Sequence, residues 1–207
     1  MLYPNLRREK KLIKKGVKYI AGVDEAGRGA WAGPIVAAAV ILDHRKKIKG
    51  IKDSKLLRSP DRKRLFEEIA GSAVAWAIGV VSHDIIDKIG INQANVLAMQ
   101  QAIQNLSVKP NHILADGFCF KEINTPCHNI IDGDHKVTSI SAASIIAKVK
   151  RDELMDQLDE IYPAYGFKHH KGYGTEHHHH MLMEYGVCDI HRKTFEPIKF
   201  LLEISRK

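Results

Sequence analysis

A chain of 207 residues, 44% hydrophobic, is long enough to bury one sizeable core, and a single α/β domain over residues 1–207 is the expectation. Lys and Arg outnumber Asp and Glu by 32 to 24, a formal net charge of +8, so the field around the molecule attracts polyanions and points to nucleic acid as the partner class. Three cysteines without a C-x-x-C spacing argue against a disulfide framework, and no run nears the roughly 20 apolar residues of a bilayer span, so a soluble, cytoplasmic protein with no membrane partner is expected.

Residues 1–17 are basic with a few apolar anchors and stop at Gly16; they read as a short helix or arm whose simplest role is a solvated charged end. Apolar, β-branched runs at 18–24 and 33–42 flank a turn that carries Asp24, Glu25 and Gly27-Arg28-Gly29, which predicts an antiparallel pair of strands. Lys46 to Ile51 predicts a third strand. After the polar cluster Asp53-Ser54-Lys55, Ser59-Pro60-Asp61 opens a helix to about residue 70. Residues 73–81 read as a mostly buried strand bounded by Gly71-Ser72 and Ser82-His83.

Val96, Met99, Ile103 and Leu106 recur at helical spacing within 92–106, and Pro110 closes that segment. Short strands at 112–115 and 127–131 end at Asp116-Gly117 and at Asp132-Gly133-Asp134. Residues 138–161 form an uninterrupted helical pattern, with Ser141, Ser144, Lys148 and Arg151 on a polar, basic face suited to a phosphate contact. The tail from 162 to 207 is aromatic and basic, and helices at 175–185 and about 197–204 predict a C-terminal helical cap on the sheet.

Two adjacent carboxylates at the end of an apolar strand are costly to bury unless something pairs with them. Asp24, Glu25, Asp116 and Asp134 recur at strand ends without matching histidine or thiolate partners, and such all-oxygen sets select Mg²⁺ or Mn²⁺. Two ions of that kind support phosphodiester hydrolysis. Asp116 and Asp134 also fit as ordinary turn formers, because Asp-Gly is a common turn dipeptide. A regular strand would send Asp24 and Glu25 to opposite faces, so the strand ends or bulges there, or Glu25 acts through a less direct geometry.

His177 to His180 stands outside this scheme; a zinc site there would need Cys188 or His191, and a solvated helix start is the simpler reading. The cysteines read as small buried hydrophobes, Trp76 as core, and Trp31 as a wall of a substrate groove.

The ordered set GVDEAGRG (22–29), Asp53-Ser54-Lys55, ADG (115–117), GDHK (133–136), SAASIIAKVKRD (141–152), YGFKHHKGYGT (165–175) and HRKTF (191–195) resembles bacterial ribonuclease HII over roughly residues 18–200. That resemblance implies a ribonuclease H-like fold, a mixed sheet of about five strands with flanking helices and a helical C-terminal region. It also implies an endoribonuclease that cuts the RNA strand of RNA/DNA hybrids and nicks duplex DNA 5′ to embedded ribonucleotides, leaving 3′-hydroxyl and 5′-phosphate ends.

By the same resemblance Asp24, Glu25, Asp116 and Asp134 are the catalytic metal ligands for two Mg²⁺ or Mn²⁺ ions. Gly27-Arg28-Gly29 reads the ribose 2′-hydroxyl, Tyr173 packs on the neighbouring sugar, and Ser54, Lys55, Ser144 and Lys148 complete the substrate-binding set. Ala30 and Gly174 replace prolines usual in the family, and Leu56 replaces a common lysine. A monomer with no obligate protein partner is expected, since FEPIKFLLEISRK at 195–207 lacks the glutamine-led, paired-aromatic pattern of a sliding-clamp peptide. The competing reading is a non-catalytic binder that holds hybrids by charge. The related ribonuclease HIII is less apt, because its members carry an extra N-terminal domain.

Overall fold

Runs of alanine and β-branched residues make the centre of the sheet. β1 (Ile20–Ala26) and β2 (Ile35–Ile41) are buried almost throughout, as strands covered by helices on both faces must be. β3 (Ala75–Val81), β4 (His112–Asp116) and β5 (Cys127–Ile130) complete a five-stranded sheet of order β3-β2-β1-β4-β5. The β1–β2 and β2–β3 pairs are antiparallel, and β1–β4 and β4–β5 are parallel. The computed structural model describes residues 4–46, 48–120 and 123–205.

The helices are α1 (Arg7–Ile13), α2 (Ser59–Ser72), α3 (His83–Ile89), α4 (Ile91–Gln104), α5 (Gly133–Lys136), α6 (Thr138–Ile161), α7 (Phe167–His170), α8 (Glu176–Tyr185) and α9 (Ile198–Ile204). α6 and α2 cover one face, where Ala142, Ala143, Ile146 and Ala147 meet Ala38, Val40, Leu65 and Ile69. α4 covers the other, packing Ala94, Ala98, Met99 and Ala102 on Ala21, Val23, Ala37 and Ala39. A separate cluster around Met155, Phe167, Leu182 and Ile198 joins α7, α8 and α9 to the distal part of α6.

Gly22 sets how closely α6 can approach. A Cβ there would lie 2.1 Å from the carbonyl carbon of Ser139, so only glycine lets the start of α6 rest directly on β1.

Several expectations need correction. The described part of 46–51 consists of bends and turns, not a strand; Gly50 turns at φ +84°, and Lys47 lies outside the described residues. The N-terminal arm keeps its basic side chains exposed, as expected, but is also docked: the buried carboxylate of Glu9 accepts from both the backbone N–H and the hydroxyl of Ser139, each at 3.0 Å. Asn5 adds a bridge to Val137, so the arm caps the start of α6. α3, α5 and α7 were not foreseen; Ser82 accepts from the Ile85 N–H at the start of α3, an ordinary N-cap.

Candidate active site

β1 neither ends nor bulges at its acids. Its pairing with β2 continues through Asp24 opposite Ala38, Glu25 opposite Ala37 and Ala26 opposite Val36. Consecutive side chains therefore alternate between faces. Asp24 turns toward α6, where Ser144 donates to it; Glu25 turns toward α4, with Asn95 and Arg28 close by.

β4 lies parallel beside β1, with Ala115 opposite Val23, so Asp116 comes level with Asp24 on the α6 face. Asp134 arrives from the other direction. Asp132 adopts a left-handed conformation at φ 54°, the chain turns, and the Gly133 N–H donates to Asp116 Oδ1 at 3.0 Å. Asp24, Asp116 and Asp134 thus each offer an oxygen within 4.8 Å of the others. Glu25 does not belong to that group; it meets it through the charges of Asp24 and Asp116.

Every carboxyl here is held above its usual range. Burial raises Asp24 most, helped by Glu25 and Asp116. Burial also raises Glu25, with Asp116 adding and Arg28 opposing. For Asp116 burial dominates over the Gly133 hydrogen bond. For Asp134 burial leads, then Asp53 and Asp116, against Lys55 and His135. The nearest cation to this group among the described ion pairs is Lys55, with Nζ 3.7 Å from Asp134 Oδ2 but its side chain 80% exposed. Clustered, under-compensated oxygen donors of this kind fit hard divalent cations such as Mg²⁺ and Mn²⁺.

A second acidic group adjoins the first. His135 Nε2 lies 3.6 Å from the buried Asp53 and 3.9 Å from Asp134, and the three offer ligand atoms within 4.8 Å of one another. The sequence marked Asp53 only as part of a polar cluster and gave His135 no role.

Beside the carboxylates lies a cavity of about 400 Å³ lined by Glu25, Gly27, Arg28, Gly29, Ser54, Lys55, Ser144, Lys148 and Tyr173. All eight residues expected to meet substrate share this one hollow. Ser54 and Ser144 exchange a hydrogen bond at 3.0 Å, which joins the loop after β2 to α6. Lys148 is held by Asp152 at 2.7 Å and lies 5.2 Å from the centre of the Tyr173 ring.

Two arginines missed as structural elements hold the walls. Arg151, read in sequence as part of an exposed basic stripe, is fully buried. Its guanidinium donates to the carbonyls of Pro34 at 2.9 Å, Ala32 at 3.1 Å and Lys171 at 2.8 Å. Arg192 is also fully buried and donates to the carbonyls of Arg28 at 2.9 Å and Gly33 at 3.0 Å. Nothing in the sequence distinguished them from solvated cations; their partners lie more than a hundred residues away or across a loop.

Three further expectations change. Trp31 does not line the cavity; it packs half-buried among the C-terminal side chains, with its ring 5.3 Å from that of His178. Cys119 is exposed, whereas Cys127 and Cys188 are half-buried. Of the histidine run, His177, His179 and His180 are exposed, while His178 is fully buried and bonds His191.

The model of the family described as Ribonuclease HII matches residues 21–198. Ribonuclease HII of Acholeplasma laidlawii is 52% identical over 203 residues, 98% of this chain and 100% of that protein. Its counterpart in Caldicellulosiruptor saccharolyticus is 47% identical over 187 residues, 90% of this chain and 91% of that protein. The crystal structure of ribonuclease H2 from Pyrococcus horikoshii superposes with a TM-score of 0.78 at 28% identity, covering 92% of this chain and 100% of that one. A sheet that gathers carboxylates from two parallel strands and the helix beyond them, with sequence kinship along almost its whole length, places this chain in the ribonuclease HII family.

Proposed function

We propose that this endoribonuclease cuts the RNA strand of RNA/DNA hybrids, and nicks duplex DNA on the 5′ side of an embedded ribonucleotide, at the Asp24, Asp116 and Asp134 cluster. The observation that carries this reading is the convergence of those buried acids within 4.8 Å beside the cavity that holds Gly27-Arg28-Gly29 and Tyr173. Asp24, Asp116 and Asp134 would hold Mg²⁺ or Mn²⁺, with Glu25, next to Asp24 near the end of β1, as the fourth acid of the set. When bound, such ions stabilise charge on the phosphate and lower the pKa of the attacking water.

The remaining work falls to the chain itself. The Gly133 N–H fixes one oxygen of Asp116, leaving the other free for coordination. Lys55 and Lys148 bring positive charge to the cavity, where a scissile strand's phosphates would lie. Gly27, at φ +93°, turns the Gly27-Arg28-Gly29 backbone so that its amides can approach a ribose 2′-hydroxyl, the group that distinguishes RNA from DNA at one nucleotide. Tyr173 supplies a flat apolar surface for the adjoining sugar. Arg28 is braced by Asn92 at 2.7 Å and lies over the Phe118 ring, which orients the loop.

A binder without catalysis is disfavoured by the acids, which without cations would repel the polyanion they face. No helix among the described residues is long and apolar enough to cross a membrane, and the same reading takes the enzyme as a cytoplasmic monomer.

The test is a gel assay on a labelled DNA duplex containing one ribonucleotide, with Mg²⁺, Mn²⁺ or chelator, beside Asp24→Asn. A metal-dependent nick 5′ to the ribonucleotide, lost in the variant, supports the assignment. Cleavage by Asp24→Asn at the wild-type rate would overturn it.

A further inference from the structure

Behind Tyr173, away from the carboxylates, two fully buried histidines form a chain of hydrogen bonds. His178 Nδ1 lies 3.0 Å from the carbonyl of Tyr173, and His178 Nε2 lies 3.0 Å from His191 Nε2. The backbone N–H of Cys188 donates to His191 Nδ1 at 3.0 Å.

The proton positions follow from the ends. A carbonyl can only accept, so His178 carries its proton on Nδ1 and presents a lone pair at Nε2. His191 must then carry its proton on Nε2 and accept at Nδ1, which is what the Cys188 N–H requires. The Cys188 carbonyl also lies 3.2 Å from His191 Nδ1. A proton directed there would reverse the chain and set a lone pair of His178 against the Tyr173 carbonyl. Burial holds His178 near 3 and His191 near 4, so both rings are neutral at pH 7, as the chain requires.

The chain connects both walls of the cavity. Tyr173 lies at one end, its ring 5.1 Å from the Arg151 guanidinium. At the other, His191 precedes Arg192, whose guanidinium holds the carbonyl of Arg28. His170 stacks on His178 at 4.4 Å between ring centres and limits its rotation.

We propose that His178 and His191 are positioning residues for substrate: their directed hydrogen-bond chain fixes the Tyr173 backbone relative to the Gly27-Arg28-Gly29 loop, and so the grip on a ribonucleotide junction. This rests on Tyr173 meeting the sugar, as read above. The two histidines touch neither substrate nor the reacting phosphate.

The experiment is steady-state cleavage of a DNA duplex with one ribonucleotide by wild type, Tyr173→Ala, His178→Gln, His178→Asn and the Tyr173→Ala/His178→Gln double variant. Asparagine can place an amide N–H where Nδ1–H stood, whereas glutamine cannot. The expected result is a roughly tenfold loss of kcat/KM for His178→Gln, carried mainly by KM and restored largely by His178→Asn, the loss that one hydrogen bond would cause. In the Tyr173→Ala background, His178→Gln should add little. Equal losses in both backgrounds, or no rescue by asparagine, overturn the positioning role while leaving the Tyr173 reading intact. Wild-type kinetics for Tyr173→Ala would overturn that reading and the proposal with it. Imidazole ¹⁵N spectra of the wild-type protein test the chain even if a variant fails to fold. They should show the Nδ1–H form of His178 and the Nε2–H form of His191, and the opposite pair of tautomers would overturn it.

Discussion

Arg151 occupies the space that a side chain at Gly27 would need: a Cβ there would fall 1.9 Å from the Arg151 Nε. The left-handed turn of the recognition loop and the buried guanidinium beneath it are therefore one unit. Arg151→Lys should cost about 2–4 kcal/mol, because an ammonium cannot serve the three carbonyls that the planar fork reaches. Urea unfolding reads the loss, and cleavage should fall even where the variant remains folded, since the Gly27 turn loses its support. Unchanged stability would show that the three hydrogen bonds contribute nothing net.

The acid cluster should behave as a site strained without its cations. A carboxyl whose folded pKa is raised contributes stability at low pH that is lost as pH rises through the folded value. Burial and mutual repulsion raise Asp24, Asp116 and Asp134, so at neutral pH without metal they weaken the fold. Mg²⁺ or Mn²⁺ should therefore raise the melting temperature of the wild type. Asp134→Asn should melt higher than wild type in chelator, gain less from metal, and lose cleavage. A variant that melts lower in chelator would contradict this electrostatic account.

The buried histidines give the opposite sign. Their folded pKa values lie below the unfolded value of about 6.5, so as pH falls below that point the unfolded chain takes up protons that the folded one refuses. Stability should fall as pH drops below about 6.5, by up to about 1.4 kcal/mol per pH unit for each histidine, the loss ending near pH 4 for His191 and near pH 3 for His178. Chemical denaturation of wild type and His178→Asn across this range isolates one of the two, since the variant should show the shallower slope.

Gly174 and Trp31 fit each other. A Cβ at position 174 would come within 2.2 Å of the Trp31 ring, so the proline usual in the family has no room here. Gly174→Ala should destabilise by about 1–3 kcal/mol in the natural background and by clearly less when Trp31→Leu opens the space. Thermal or chemical unfolding of the four proteins measures that coupling, and additive effects would exclude the contact as its cause.

Much of the sheet was legible because its strands are short apolar runs bounded by Gly, Ser and Asp. The same logic misled at Lys46 to Ile51, where two isoleucines among lysines imitated a strand with no neighbour to pair it. At Asp24 and Glu25 the alternation rule was sound, and of the two outcomes it left open the strand takes the one in which Glu25 sits in a less direct geometry, with no end or bulge at the acids. The faces of β1 are covered by different helices, and each sets a polar side chain beside its acid, Ser144 on one side and Asn95 on the other. Asp116 and Asp134 were legible as acids at strand ends, yet their meeting depends on the left-handed Asp132. Arg151 and Arg192 were invisible as buried residues, because nothing local marks the distant carbonyls that satisfy them.

The unbroken pairing of β1 also makes catalysis a gauge of folding fidelity. A slip of one residue against β2 would exchange Asp24 and Glu25 between the two faces of the sheet. Such a molecule could keep much of its secondary structure, and so pass a circular-dichroism check, while having dismantled its acid cluster. Specific activity per folded mole would then count correctly registered molecules in a refolded preparation.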